Sequence, residues 1–416
     1  MTNSRSHIEI MSPAGNFECL RAAIQGGANS VYFGIGNLNM RSHSANNFTA
    51  NDLPEIVKLC RENGIKTYLT LNIVIYNEDL QAVTETLQMA KAAGIDAIIA
   101  SDMAVIQMCK ELGIEVHIST QLNVSNIEAV KFYSQFAEVI VLARELTLPQ
   151  IKEINKYIVE KNICGPSAKL RTELFVHGAL CMSISGKCYL SLHEYGASAN
   201  RGSCYQLCRR GYKATDLETG TEINVENKYL MSPKDLCTIE FIDKIVDAGI
   251  TVFKIEGRAR SAEYVRFVTE CYRKAADAVE QGTFTQEFAA ELKRKLSNLF
   301  NRGFWDGYYQ GAKLGEWSHV YGSHATRQKE YVAKVTNYFS EIGVAELLIQ
   351  SGELNVGDNV LIIGPTLGCI EHTIKEIRVD LKPTPKATKG EYCSIPISQT
   401  LRRSDKVYLW KEVETI

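Results

Sequence analysis

Across the first two-thirds of the chain, short runs rich in β-branched and aliphatic residues alternate with amphipathic stretches. The first run is Ile8-Glu9-Ile10-Met11, and residues 17–25 after it set Leu20, Ala23 and Ile24 on one helical face. Seven more runs follow, at 30–33, 66–72, 96–100, 115–119, 138–142, 173–177 and 251–255. Helical patterns lie between them at 52–63, 80–93, 103–112 and 148–159, several closed by a glycine: Gly64, Gly94 and Gly113. Eight such units predict a parallel (β/α)8-type barrel, with a doubly wound open sheet as the alternative. In a barrel, chemistry gathers where the C-terminal strand ends meet the βα loops.

The seventh unit breaks the rhythm. About fifty residues separate its strand from a helix expected at 234–248, which defines an insertion at 178–232, and a loop of that length usually serves function. Helical patterns at 261–281 and 286–300 follow, then Phe304, Trp305, Tyr308 and Tyr309, expected to seal the barrel's edge. Beyond residue 328 the pattern turns to short strands, at 331–337, 343–349, 359–363, 372–377 and 406–410, with residues 381–389 and their two prolines as a loop. The expected organisation is therefore a barrel domain over 1–328 and a small β-barrel domain over 329–416.

A chain of 416 residues with 45% hydrophobic content can bury one large core and one small one. The formal charge of −2 excludes a polybasic protein, so nucleic acid could be met only by a local patch. Neither an apolar leader nor eighteen consecutive apolar residues occur, so a cytoplasmic protein without a membrane span is expected. In that setting the twelve cysteines are expected to be reduced. Four of them, Cys181, Cys188, Cys204 and Cys208, fall within 28 residues, with six, fifteen and three residues between successive members. Structural zinc favours pairs separated by two to four residues, and the first gap is too wide for that. An iron-sulfur cluster, expected as 4Fe-4S, is the favoured reading. Zinc and unrelated buried thiols are the alternatives. Cys237 is an alternative fourth ligand, whereas Cys19, Cys60, Cys109, Cys271, Cys369 and Cys393 read as packing residues.

Polar residues at strand ends form the candidate site: Asn72, Gln121, Asn123, Arg144, Glu145, His177, Glu256 and Arg258. Arginine binds carboxylate bidentately, so Arg41, Arg144 and Arg258 are candidate anchors for a small dicarboxylate. Period two puts Lys254 and Glu256 on one side of a strand, where they could pair. His177, Glu256, Gln121 and Glu145 are candidates for proton transfer or polarisation. For each residue taken alone a structural role serves equally well: Arg144-Glu145 as a loop salt bridge, His177 as a hydrogen-bonded core histidine.

The segment Glu173-Leu174-Phe175-Val176-His177-Gly178-Ala179-Leu180-Cys181, with Gly186-Lys187-Cys188-Tyr189-Leu190-Ser191, resembles the signature of the collagenase-like peptidase family of unassigned catalytic type. Ser12-Pro13-Ala14-Gly15, Met231-Ser232-Pro233-Lys234-Asp235-Leu236 and Lys254-Ile255-Glu256-Gly257-Arg258 extend the resemblance over essentially residues 8–416. The arrangement of one barrel and one small β domain is most similar to the branch that hydroxylates the wobble uridine of tRNA to 5-hydroxyuridine, with prephenate as co-substrate. The resemblance implies cluster ligands at Cys181, Cys188, Cys204 and Cys208, the last competing with a position nearer Cys237. Other branches hydroxylate ribosomal RNA or a quinone precursor.

A tRNA partner would need local basicity, and Arg201, Arg209, Arg210 and Lys213 supply it, with Tyr205 and Tyr212 for stacking. An ordinary solvated loop has the same composition. Peptide hydrolysis is the rival function, yet the chain has no H-E-x-x-H and no G-x-S-x-G. A thiol protease built on a cysteine beside His177, and a cluster-bearing scaffold or subunit of a larger assembly, complete the alternatives.

Overall fold

The computed structural model describes residues 8–42, 47–225, 231–312, 314–318 and 322–413. Residues 226–230 of the expected insertion therefore lie outside the described residues. Eight parallel strands form a closed ring: Glu9–Pro13 (β1), Ser30–Phe33 (β2), Lys66–Leu71 (β3), Ala97–Ala100 (β4), Glu115–Ile118 (β5), Val139–Val141 (β6), Arg171–Gly178 (β7) and Val252–Ile255 (β8). Neighbours in sequence pair in space, and β8 closes the ring between β1 and β7. The parallel barrel is thus the architecture, and the open sheet is excluded.

Alternation along the strands sends one set of side chains inward, where Met11, Tyr32, Tyr68, Ala97, Ile99, Val139 and Val252 pack together. Below them the barrel floor is polar: Glu9 accepts from Tyr68 Oη at 2.7 Å and pairs with Arg171, and Glu115 bonds His117 at 3.1 Å. The outward set packs on the helices in the main core. One helix, Ile127–Tyr133, escapes the periodicity because it is only two turns long; Asn126 caps it by accepting from Ala129 N.

The segment expected as a helix at 234–248 differs. Asp235–Cys237 is a strand antiparallel to the end of β7, and the helix itself spans only Ile242–Asp247. The ion pairs of Asp235 with Arg260 and Arg302 hold that segment extended. Phe304–Trp305 adds alongside it in parallel, and Tyr309 Oη donates to Phe175 O at 2.9 Å, so the aromatic stretch does close this edge.

The C-terminal strands are antiparallel. Arg327–Phe339, Val344–Ile349, Asn359–Gly364, Gly368–Thr373, Ile377–Val379, Lys382–Thr384, Tyr392–Pro396 and Lys406–Glu412 form one eight-stranded series. Among the described residues no pairing joins its two ends. The expected strand at 372–377 is split between two strands, and the expected loop at 381–389 carries two short ones, Lys382–Thr384 and Lys386–Thr388. Each proline there sits on a strand of only three residues or between the two, where a missing N–H costs little. Leu361, Ile363, Cys369 and Trp410 join the barrel's own core, so the sheet is packed onto the barrel. Among the described residues no helix is long and apolar enough to cross a membrane.

Candidate active site

A cavity of about 340 Å³ opens at the C-terminal end of the barrel, between the strand ends and the cysteine insertion. Its base is a buried ion pair, Lys254 Nζ to Glu173 Oε1 at 2.7 Å, with the ammonium 4.8 Å from the centre of the Tyr32 ring. Lys254 therefore pairs with Glu173 rather than with Glu256. Glu256 instead accepts from Arg41 Nη2 at 2.8 Å. Burial works to raise the Glu256 carboxyl, but Arg41, Arg144 and Arg258 together outweigh it and hold the group below the usual carboxylate range.

The three arginines differ in how far they are already spent. Arg41 is held by Glu256. Arg258 is buried and donates from Nη1 to Asn39 Oδ1 and Thr70 Oγ1, both at 3.0 Å; burial pushes it down to about 10. Arg144 lies 4.0 Å above the Phe175 ring, and its Nε is buried without a hydrogen-bond partner among the described residues. No ion pair joins it to Glu145, so the loop salt bridge is absent. A buried guanidinium Nε with no partner at the cavity wall leaves a donor open to a hydrogen-bond acceptor.

Four thiols also line the cavity: Cys181, Cys188, Cys204 and Cys208. All are free thiols. Burial first, then the proximity of Cys181, Cys204 and Cys188, pushes the Cys208 thiol up against the opposing charge of Arg209. Among the described residues no three Cys, His, Asp or Glu side chains close around a single ion position. Four thiols lining one cavity are the donor type that holds an iron-sulfur cluster. Two glycines let the insertion reach this place. Gly178, at φ +106°, turns the chain out of β7 where a Cβ would stand 2.5 Å from Glu256 O. Gly186 lies so close to the β5 end that a Cβ would be 2.7 Å from Gln121 Cβ.

Other expected residues fall into two groups. Gln121 and Asn72 line the cavity and are tied to each other, Gln121 Nε2 donating to Asn72 O at 3.0 Å, while Ser119 Oγ donates to Gln121 Oε1. Asn123, at φ 51°, instead clips the insertion to this loop by donating to Ser185 O at 3.0 Å. Glu145 lines a small side chamber of about 50 Å³ with Trp305, Tyr308 and Trp317, which shares Arg144 with the main cavity.

His177 faces away from the cavity. The β7–β8 register pairs Phe175 with Lys254 but His177 with Ile255, so Val176 is an extra residue, a β-bulge that reverses the alternation. His177 is consequently buried among Tyr264, Tyr272 and Phe304, and burial, with Arg260 adding to it, pushes the ring down to about 3. Cys237, its partner across the antiparallel pairing, is equally buried, 3.9 Å from Tyr272 Oη. Cys208 shares the cavity with the other three thiols and Cys237 does not.

The basic residues of the insertion are largely engaged. Arg201 forks onto Asp79 and stacks on Tyr76, Arg209 donates to Ser232 Oγ, Pro233 O and Leu180 O, Arg210 donates to Tyr195 Oη, and Lys213 pairs with Glu222. They staple the insertion rather than forming an open positive patch. Sequence reading missed Glu173, Tyr32, Thr70 and Asn39, and also Arg260 and Arg302, which line the cavity and share Asp235. The inward alternation of β7 and β8 was the one available signal for Glu173, since it sits two residues before Phe175.

The (β/α)8 barrel thus carries at its mouth a cavity lined by Arg41, Arg144 and Arg258 together with four thiols, the position at which barrel enzymes hold their active sites. Residues 15–319 match the family model described as peptidase family U32, and the chain belongs to that family. It is 56% identical over 407 residues to a Porphyromonas gingivalis protein named collagenase, covering 98% of each chain. It is 33% identical over 377 residues to the tRNA hydroxylation protein P1 of Bacillus subtilis, covering 89% of this chain and 86% of that one. A match of 34% over 324 residues to the 23S rRNA 5-hydroxycytidine C2501 synthase of Escherichia coli covers 76% of this chain and 47% of the relative.

Proposed function

We propose that the protein is an iron-sulfur-dependent RNA hydroxylase that converts the wobble uridine of tRNA to 5-hydroxyuridine, with prephenate bound as the dicarboxylate at the barrel mouth. The observation that carries this is the Arg144 guanidinium, whose buried Nε has no hydrogen-bond partner among the described residues, in the same cavity as four thiols. A barrel that brings a free anion anchor to a thiolate wall is organised for a charged co-substrate beside an electron-transfer group. Two relatives named for hydroxylating tRNA and ribosomal RNA support the substrate class.

Cys181, Cys188, Cys204 and Cys208 would hold a 4Fe-4S cluster, which when bound supplies one-electron chemistry. The chain's own residues do the rest. Arg144 and Arg258 take the carboxylates of the co-substrate. Glu256, kept ionised by its arginines, stands as the acceptor for a proton released in the cavity. The Lys254–Glu173 pair fixes the floor, and the Asn72 amide, beside a Gln121 held by Asn72 O and Ser119, offers hydrogen bonds to a pyrimidine edge.

The 56% relative named collagenase favours a second reading, peptide hydrolysis. Its cysteine–histidine version requires an accessible thiolate beside a charged imidazole. The one cysteine paired with His177 is Cys237, whose thiol burial pushes up to about 11, while burial pushes His177 down to about 3. That pair is neutral and sealed. The test reads the RNA: tRNA nucleosides are analysed by mass spectrometry from cells lacking the gene, then complemented with wild type, Arg144→Ala or Cys181→Ala. Hydroxyuridine should vanish with the gene and return only with wild type. Persistence of hydroxyuridine in the deletion strain, without a redundant enzyme, overturns the assignment, and cleavage of peptides by clean, cluster-free protein favours the second reading.

A further inference from the structure

Exposed apolar and aromatic side chains are concentrated on the cysteine insertion. Among the described residues, eight of the 21 large exposed ones lie between Met182 and Leu217, and four of the six exposed tyrosines are Tyr189, Tyr195, Tyr205 and Tyr212. A fifth, Tyr76, is held against the insertion by the Arg201 guanidinium 3.9 Å above its ring. A folded protein gains nothing in stability by presenting rings to water, and such a concentration marks a contact surface. The rings are also ordered: Tyr195 and Tyr205 stand 5.1 Å apart, and Arg210 donates to Tyr195 Oη with its guanidinium 5.3 Å from that ring. Tyr205 directly follows Cys204, which lines the cavity.

We infer that Tyr189, Tyr195 and Tyr205 form a stacking platform for unpaired RNA bases flanking the nucleotide that enters the cavity. This rests on the RNA substrate proposed above. Three features select unpaired bases over other partners. The faces are π surfaces, to which any base stacks. The cations beside them are already spent on Asp79, Tyr195 and Glu222, so the surface offers little free charge to a duplex backbone. The platform also adjoins the cavity mouth, so stacking the neighbours of a splayed loop nucleotide delivers that nucleotide inward.

The test uses the full-length protein, purified anaerobically, and fluorescence anisotropy with an anticodon stem-loop RNA and a blunt duplex of equal length. Tyr195→Leu and Tyr205→Leu should each weaken binding of the stem-loop about tenfold, Tyr→Phe at either position should bind within twofold of wild type, and the duplex should bind weakly throughout. Ultraviolet cross-linking of wild type, independent of any variant's folding, should place the RNA on tryptic peptides 188–201 and 202–209. Leucine variants that bind as wild type, a duplex bound as tightly as the loop, or cross-links confined to other peptides would each overturn the platform while leaving the RNA substrate standing. Wild type that binds no RNA overturns both.

Discussion

Arg144 and Arg258 have the same side chain and line the same cavity, yet their removal should have different consequences. Arg144 contributes to the fold a cation–π contact over Phe175, worth about 0.5–2 kcal/mol, and a share of the positive charge that holds Glu256 ionised, and it offsets these with a buried Nε that has no hydrogen-bond partner among the described residues. Arg144→Ala should therefore change stability by no more than about 1 kcal/mol. A dicarboxylate bound there loses a charge-assisted bond of roughly 1.5–3 kcal/mol, a factor of about ten to 150 in Kd. Arg258→Ala also removes an anchor, but it breaks two buried charge-assisted hydrogen bonds, to Asn39 Oδ1 and Thr70 Oγ1, and like Arg144→Ala it takes a balancing charge from Glu256. Its cost to the fold should reach about 3 kcal/mol. Anaerobic calorimetric titration with prephenate, beside urea unfolding of the three proteins, separates the two effects. An Arg144→Ala protein that binds prephenate within twofold of wild type, or that unfolds as readily as Arg258→Ala, would refute the reasoning.

Three further outcomes follow from the same geometry. His177 has an ordinary value of 6.5 pushed down to about 3, so below pH 6.5 the unfolded chain binds a proton that the folded chain refuses, and stability falls by about 1.4 kcal/mol per unit as pH drops toward 3; urea midpoints of His177→Gln should show a flatter slope between pH 4 and 6.5. Iron content after anaerobic reconstitution should collapse in Cys181→Ala, Cys188→Ala and Cys208→Ala but persist in Cys237→Ala, and equal loss from the last would reverse the ligand assignment. Lys254→Met leaves Glu173 charged and unpaired in the barrel and should cost about 3–5 kcal/mol, most of it recovered when Glu173→Leu is added, as a double-mutant cycle would measure.

The barrel was legible because its evidence is local: eight alternating strand patterns, each closed within a dozen residues by a helix or a glycine. The thiol wall was legible for the same reason, since its four members lie close in sequence. What failed depends on partners distant in the chain. Lys254 was read against Glu256, two residues away, but bonds Glu173, 81 positions removed. His177 was placed in the site because it ends a strand, and one extra residue at Val176 turns it away from the cavity. Arg201 and Arg209 looked like a basic patch because composition counts charges without their partners, here Asp79 across the mouth and the insertion's own carbonyls.

Charge balance carries the last step. Among the described residues seven cationic side chains line the cavity, Arg41, Arg144, Arg209, Lys254, Arg258, Arg260 and Arg302, against one carboxylate, Glu256. Glu173 and Asp235, just behind the wall, neutralise Lys254 and share Arg260 and Arg302. A marked positive excess remains in a partly closed space, where fields are stronger than in water. A neutral peptide bond supplies nothing to offset it. On the function proposed above, a dicarboxylate co-substrate would offset that excess, which is what an anionic co-substrate acting on RNA requires.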